Sequence, residues 1–180
     1  MSALIAFAEL AGRYCAFVES LRDGRVSNLY SSLERFHAEI YAAILLVDKE
    51  VPLDKKVSRR TQRTFDNIRM SHDEWRDLAC AIAKTTGKET AELIAWHESL
   101  RGEDKSGDDY EVIRASMLWD DLADIYRDLR HGLQLWKLDT PAAQAQAAWE
   151  WRFQYEIHWG EHLFRAMESV HEARYELFAD

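Results

Sequence analysis

Only two prolines and seven glycines are spread over 180 residues, so few positions can interrupt long helices. Both prolines, Pro52 and Pro141, fall where helices are expected to stop or start. Cysteine is scarcer still in usable patterns. Cys15 and Cys80 are far apart and belong to no CxxC or Cys/His spacing, which excludes a zinc frame and makes two buried thiols the expectation rather than a disulfide. No run approaches the ~18 consecutive apolar residues of a membrane span, and Met1-Ser2-Ala3-Leu4 lacks the basic start of a signal peptide. These absences predict a cytoplasmic protein without membrane association. The chain also has no alternating strand pattern, internal repeat, Gly-rich phosphate loop or recognisable Ser-His-Asp or Cys-His setting.

Apolar residues make up 47% of the chain and charged residues 31%, a globular balance. At this length a single helical domain over residues 1–180 is expected to bury its own core. The net charge of -9 opposes nucleic-acid binding, because an acidic surface repels phosphates before contact. One stretch dissents. Between Lys55 and Met70 the basic residues Lys55, Lys56, Arg59, Arg60, Arg63 and Arg69 meet a single acid, Asp66. A solvated connector is the plain reading of that segment; a recognition patch is the sharper one.

Periodicity predicts an all-α fold: four main helices in two antiparallel hairpins, a less regular middle and a very long C-terminal helix. The first helix runs from Ser2 to Arg22, with Phe7, Ala11, Tyr14, Val18 and Leu21 on one face, and Asp23-Gly24 ends it. The second spans Ser27 to Lys49, and so short a link makes the two a hairpin. Ser71-His72-Asp73-Glu74 is a capping box that starts a middle helix reaching Thr86. Thr90 to Leu100 is ambiguous, and Arg101 to Asp109 reads as an acidic loop. Helix four begins at Val112 or Ser116 and reaches Leu138. Asp139-Thr140-Pro141 supplies a cap and a first-turn proline for helix five, which extends to Phe178 over roughly 57 Å at 1.5 Å per residue. Gly160 is its weak point.

The run Asp120-Asp121-Leu122-Ala123-Asp124-Ile125-Tyr126-Arg127-Asp128-Leu129, with Trp149-Glu150-Trp151-Arg152-Phe153 and His158-Trp159-Gly160-Glu161-His162, resembles a bacterial family described as domain of unknown function 5063. Met70-Ser71-His72-Asp73-Glu74-Trp75 is similar to that family's central helix start. The specific part covers about the last 70 residues. The resemblance implies a helical fold and carries no activity, ligand or catalytic residue with it. Between Gly87 and Ser116, where the family tends to be aromatic-rich, this chain has Glu89-Thr90-Ala91-Glu92-Leu93-Ile94 and the acidic loop.

Candidate chemistry collects on helices four and five. At 100° per residue, Asp121, Asp124 and Asp128 share a sector of about 60° beside the apolar stripe of helix four. Arg152 and Glu156 point into the apolar arc of Trp149, Phe153, Gly160, Leu163, Phe164 and Met167, and buried charges require partners. Counting outward from the turn puts Asp128 level with residue 150, Asp124 with 154 and Asp121 with 157. The plain expectation is that Arg152 bridges Asp124 or Asp128 and that Glu156 meets Arg127 or a hydroxyl, fixing the register. The sharper reading makes Asp121, His158 and His162 a divalent-metal site, since His-x-x-x-His puts two imidazoles on one helix face. Against it, both histidines lie about 100° from the centre of the apolar arc. A di-iron pattern, Glu34-x-x-His37 with Glu168-x-x-His171, has the right order but mismatched levels. Trp151 falls off the apolar arc beside the two histidines, where either a partner surface or packing under the irregular middle segment would place it. The leading functional expectation is therefore a non-enzymatic module binding a protein partner or itself, through Trp151 or the basic segment. The alternative is a metal-dependent hydrolase between helices four and five.

Overall fold

Ser2 starts the first helix: its hydroxyl accepts the Ile5 N–H at 3.3 Å, satisfying one of the amides that a helix start leaves unpaired. The computed structural model describes residues 2–24, 28–50, 68–85 and 118–175. Helix α1 covers Ala3–Ser20, followed by a 3-10 turn at Leu21–Asp23. Gly24 closes it with φ 64°, a left-handed conformation that glycine adopts without a Cβ penalty. Asn28, at φ 61°, leads into α2, Leu29–Glu50. Helix α3 spans His72–Thr85. Its predicted capping box forms in full: Glu74 Oε2 accepts the Ser71 N–H at 2.8 Å while Ser71 Oγ accepts the Glu74 N–H at 3.2 Å. Helix α4 is Leu118–Trp136. The predicted basic segment Lys55, Lys56, Arg59, Arg60 and Arg63, the stop at Pro52 and the stretch between Gly87 and Ser116 lie outside the described residues.

Asp139 turns the chain at φ 51°, and Thr140 Oγ1 accepts the Ala143 N–H at 3.2 Å with Pro141 in the first turn. From there one 35-residue helical rod runs to Tyr175. It is not uniform. Helix α5, Pro141–Gln154, passes into a π turn at Tyr155–Trp159 and then into α6, Gly160–Tyr175. Gly160 follows the π turn for a steric reason: a Cβ there would sit 2.3 Å from the Tyr155 carbonyl oxygen.

Helix α1 packs on α2, α2 on α6, α6 on α4 and α4 back on α1, and α3 lies outside against α4 and the 3-10 turn. Among the described residues there is no strand, and no helix is long and apolar enough to cross a membrane. One apolar cluster runs through these elements, built around Phe7, Tyr14, Leu33, Ile40, Leu122, Ile125, Trp151 and Trp159, each side chain contributing about 1.5–3 kcal/mol by burial. Polar ties fix the packing: the Tyr126 hydroxyl donates to Glu19 Oε1 at 2.7 Å, and the Thr85 hydroxyl donates to the Leu21 carbonyl at 2.6 Å. Cys15 and Cys80 are both free thiols; burial pushes the Cys15 thiol well above its ordinary range.

The π turn corrects the expected apolar face. One additional residue in a turn rotates everything beyond it by about 100° relative to an unbroken 3.6-residue wheel. The core-facing line runs through Ala147 and Trp151 before the π turn and Trp159, Leu163, Ala166 and Val170 after it, all buried. Phe164, expected inside, is 50% exposed and leans on Tyr41 with ring centroids 5.3 Å apart. Trp151, expected off the apolar arc, is fully buried. Its indole N–H donates to the Leu129 carbonyl at 3.1 Å, and its ring occupies the space a Cβ on Gly132 would need, 2.0 Å from Nε1.

Candidate metal centre between helix four and the C-terminal rod

Spacing of three and four residues sets Asp121, Asp124 and Asp128 along the face of α4 that looks at the rod. Asp121 and Asp124 are buried and Asp128 is half-buried. His158 in the π turn and His162 one turn beyond it meet them across the helix pair. His158 Nδ1 lies 2.7 Å from Asp128 Oδ2. His162 is held between two carboxylates, with Nδ1 2.7 Å from Asp121 Oδ1 and Nε2 3.3 Å from Asp124 Oδ2. The two imidazoles stand 4.7 Å apart, centroid to centroid. All three residues of the sequence-derived set, Asp121, His158 and His162, therefore come to one place, together with Asp124 and Asp128.

The partners differ from those the level count assigned. It paired Asp128 with residue 150 and Asp121 with 157, whereas the structure joins Asp128 to His158 and Asp121 to His162. Side chains tilt toward the N-terminus of their own helix. In an antiparallel pair, a residue farther from the turn on the rod therefore reaches back to meet one that leans away from it on α4. The main-chain level is close to the expected one, since Trp151 reaches Leu129.

Arg152 does not bridge the aspartates. It pairs with Glu156 one turn on, at 3.4 Å, and Glu156 is exposed rather than enclosed. The guanidiniums in the cluster are Arg127 and Arg165. Arg127 lies 2.8 Å from Asp124 Oδ1 and 3.3 Å from His158 Nε2. Arg165 Nε and Nη2 both donate to Asp121 Oδ1 at 3.0 Å, and its Nη1 reaches Glu161 at 2.7 Å. Arg165 was not foreseen, although its spacing from Glu161 and His162 was a readable signal.

Charge counts against the network as a self-sufficient ion-pair cluster. Asp120, Asp121, Asp124 and Asp128 face two guanidiniums, and an imidazole adds positive charge only when protonated. Burial, with Asp124 and Asp121 beside it, pushes the Asp120 carboxyl up to about 6, as expected where carboxylates outnumber cations. The hydrogen bond to Asp128 raises His158 above the ordinary histidine range against the opposing effect of burial. Two sets of donors stand close enough to share an ion, each with one donor atom per residue and all within 4.8 Å: Asp124, His158 and His162, and Asp120, Asp121 and His162.

Neither alternative cluster assembles. The di-iron pattern fails because His37 is fully buried in apolar surroundings that push it down to about 3, Glu34 pairs with Arg174, and His171 stacks on Tyr175. The partner edge built on Trp151 fails because that side chain is interior. A second buried polar group had escaped notice: Glu150, hydrogen-bonded by Gln146 at 3.0 Å, 3.6 Å from Arg69 and 4.0 Å from His131. Burial raises its carboxyl above the usual range. Only the Gln146/Glu150 spacing signalled it.

A crystal structure of protein BF1032 from Bacteroides fragilis has the same fold, with a TM-score of 0.69 and 18% identity over 97% of each chain. No curated protein is matched. Residues 2–176 match the family described as domain of unknown function 5063, and the chain belongs to that family.

Proposed function

We propose that the protein binds one divalent metal ion between α4 and the rod, with Asp124, His158 and His162 as ligands. The observation that carries this reading is the arrangement of carboxylates behind the imidazoles. If His158 donates Nδ1–H to Asp128 and His162 donates Nδ1–H to Asp121, with Arg165 Nη2 turning from its 2.7 Å contact with His162 Nδ1 to Asp121 alone, both Nε2 lone pairs remain for an ion, and each ring is oriented by a carboxylate, as in metal-bound histidines generally. The 3.3 Å between His162 Nε2 and Asp124 Oδ2 is about the separation of two ligands around a tetrahedral ion with bonds near 2.0 Å. A dication also balances the surplus of carboxylates. With the ion present, Arg127 is displaced from His158 Nε2, cation giving way to cation, and remains paired with the carboxylates of its own helix.

Two imidazoles and a carboxylate suit zinc or iron better than magnesium or calcium, which prefer all-oxygen sets. Three protein ligands leave a coordination position open, the pattern of catalytic rather than structural sites. Such a site supplies Lewis-acid polarisation and an activated water, so metal-dependent hydrolysis is the reaction class this reading supports. Asp120, protonated more readily than an ordinary aspartate, is placed to hold a proton beside the cluster.

Metal analysis of protein purified without a histidine tag tests the site. One equivalent of zinc, iron or manganese is expected in the wild type and less than about a tenth of that in His162→Ala. A metal content unchanged by His158→Ala and His162→Ala would refute the assignment.

A further inference from the structure

A cavity of about 290 Å³ opens on the far side of Arg127, between the start of α3 and the middle of α4. Arg69, His72 and Trp75 line it from the α3 side, and Arg127, Asp128 and His131 from α4. We propose that it is a binding site for a small organic anion, a phosphate monoester or carboxylate carrying a flat apolar group, adjoining the metal centre through Arg127 and Asp128 but using none of the three assigned ligands.

Hydrogen-bond donors dominate the wall. Two guanidiniums and two imidazoles line it, Arg127 with its Nη2 held by Asp124 at 2.8 Å, and a planar guanidinium matches the oxygens of a phosphate or carboxylate in pairs. The one acid, Asp128, is already committed: its Oδ2 holds the His158 ring at 2.7 Å and its Oδ1 lies 3.9 Å from Arg127 Nε. Arg69 is steadied from behind by Glu150 at 3.6 Å, which fixes the guanidinium while the raised Glu150 carboxyl neutralises it less than an ordinary carboxylate does. Trp75 is nearly buried and packs against His72 with ring centroids 5.7 Å apart, giving the cavity an aromatic wall. The volume sits at the lower end of small-molecule sites, too small for a dinucleotide and sufficient for one ring with one anionic group. The proposal does not depend on the metal, because none of the three assigned ligands lines this cavity.

Calorimetric titration of chelator-treated, full-length protein with phenyl phosphate, inorganic phosphate and phenol tests it. Saturable binding is expected for phenyl phosphate, weaker binding for inorganic phosphate and none for phenol. Arg69→Gln and Arg127→Gln should each weaken phenyl phosphate about tenfold or more, and His72→Ala, at an exposed helix start, should weaken it less. In case an arginine variant does not fold, the Trp75 indole N–H resonance of the wild type should shift on phenyl phosphate addition. Binding of phenol as tight as that of phenyl phosphate would overturn the proposal. So would wild-type affinity in folded Arg69→Gln and Arg127→Gln, or the absence of both saturable heat and a Trp75 shift. If phenyl phosphate binds as expected but zinc does not, the cavity assignment stands and the metal reading falls.

Discussion

Helix α4 and the C-terminal rod meet twice, and the two meetings have opposite chemistry. Near the turn, Gly132 lets the Trp151 ring lie directly against the α4 backbone, with Trp136 and Phe7 packed on it at 6.0 and 5.1 Å. Where the ring meets α4 its indole N–H finds the Leu129 carbonyl, and beside it His131 of α4 pairs with Glu150 of the rod at 4.0 Å. Past the π turn the same pair of helices presents carboxylates, imidazoles and guanidiniums to each other, with more acid than base. The close contact fixes how far apart the helices stand, and the π turn decides which residues face inward at that spacing. A dry clamp therefore positions a charged site that does not balance itself, an arrangement in which stability is supplied in one place and chemistry in another.

Breaking the clamp has the largest expected effect. Trp151→Ala removes a fully buried indole and should lower unfolding free energy by about 3–5 kcal/mol, measured by urea denaturation. A loss under about 1 kcal/mol would mean that the clamp does not hold the pair. The charged half should respond in the other direction. Asp120 has a folded-state pKa near 6, above its unfolded value, so its contribution is fully present below about pH 4 and is lost as pH rises through 6. Asp120→Asn removes that penalty, and metal-free protein at pH 8 should gain roughly 1–2 kcal/mol, with no gain at pH 4. Equal effects at both pH values would remove the charge-surplus account. Smallest of all, Glu156→Gln at the exposed Arg152 pair should change stability by no more than about 0.5 kcal/mol; a loss above about 1 kcal/mol in the same denaturation assay would place that pair in the framework rather than on its rim.

Much of this contrast was legible in the sequence, and the part that was not has a specific cause. The caps at Ser71 and Thr140, the end at Gly24 and the acidic face of α4 follow from local chemistry that a few residues carry by themselves. The pairing of that face with His158 and His162 was within reach. A wheel centred on Trp149 and Phe153, which are only half-buried, took the wrong side of α5 as the core face and so turned both histidines outward. The same choice put Phe164 inside and Trp151 outside, and only with the π turn do Trp159, Leu163, Ala166 and Val170 line up with Trp151. Gly160 was visible as a weak point, yet that it accommodates the Tyr155 carbonyl depends on a backbone geometry that residue spacing does not encode. Arg152 looked like the bridging arginine because it sat on that mistaken arc; the true partners are Arg127, one turn from Asp124 on its own helix, and Arg165, which reaches Asp121 across the helix pair.

The claim that the charged half is a metal centre and not a set of ion pairs is tested most directly by thermal unfolding of chelator-treated protein with and without zinc. An ion held a hundredfold above its dissociation constant adds about 2.7 kcal/mol, which for a chain of this size is a rise in Tm of about 5–10 °C. The wild type should show that rise, and the His158→Ala/His162→Ala protein should not. No shift in the wild type, or the same shift in the double variant, would contradict the account.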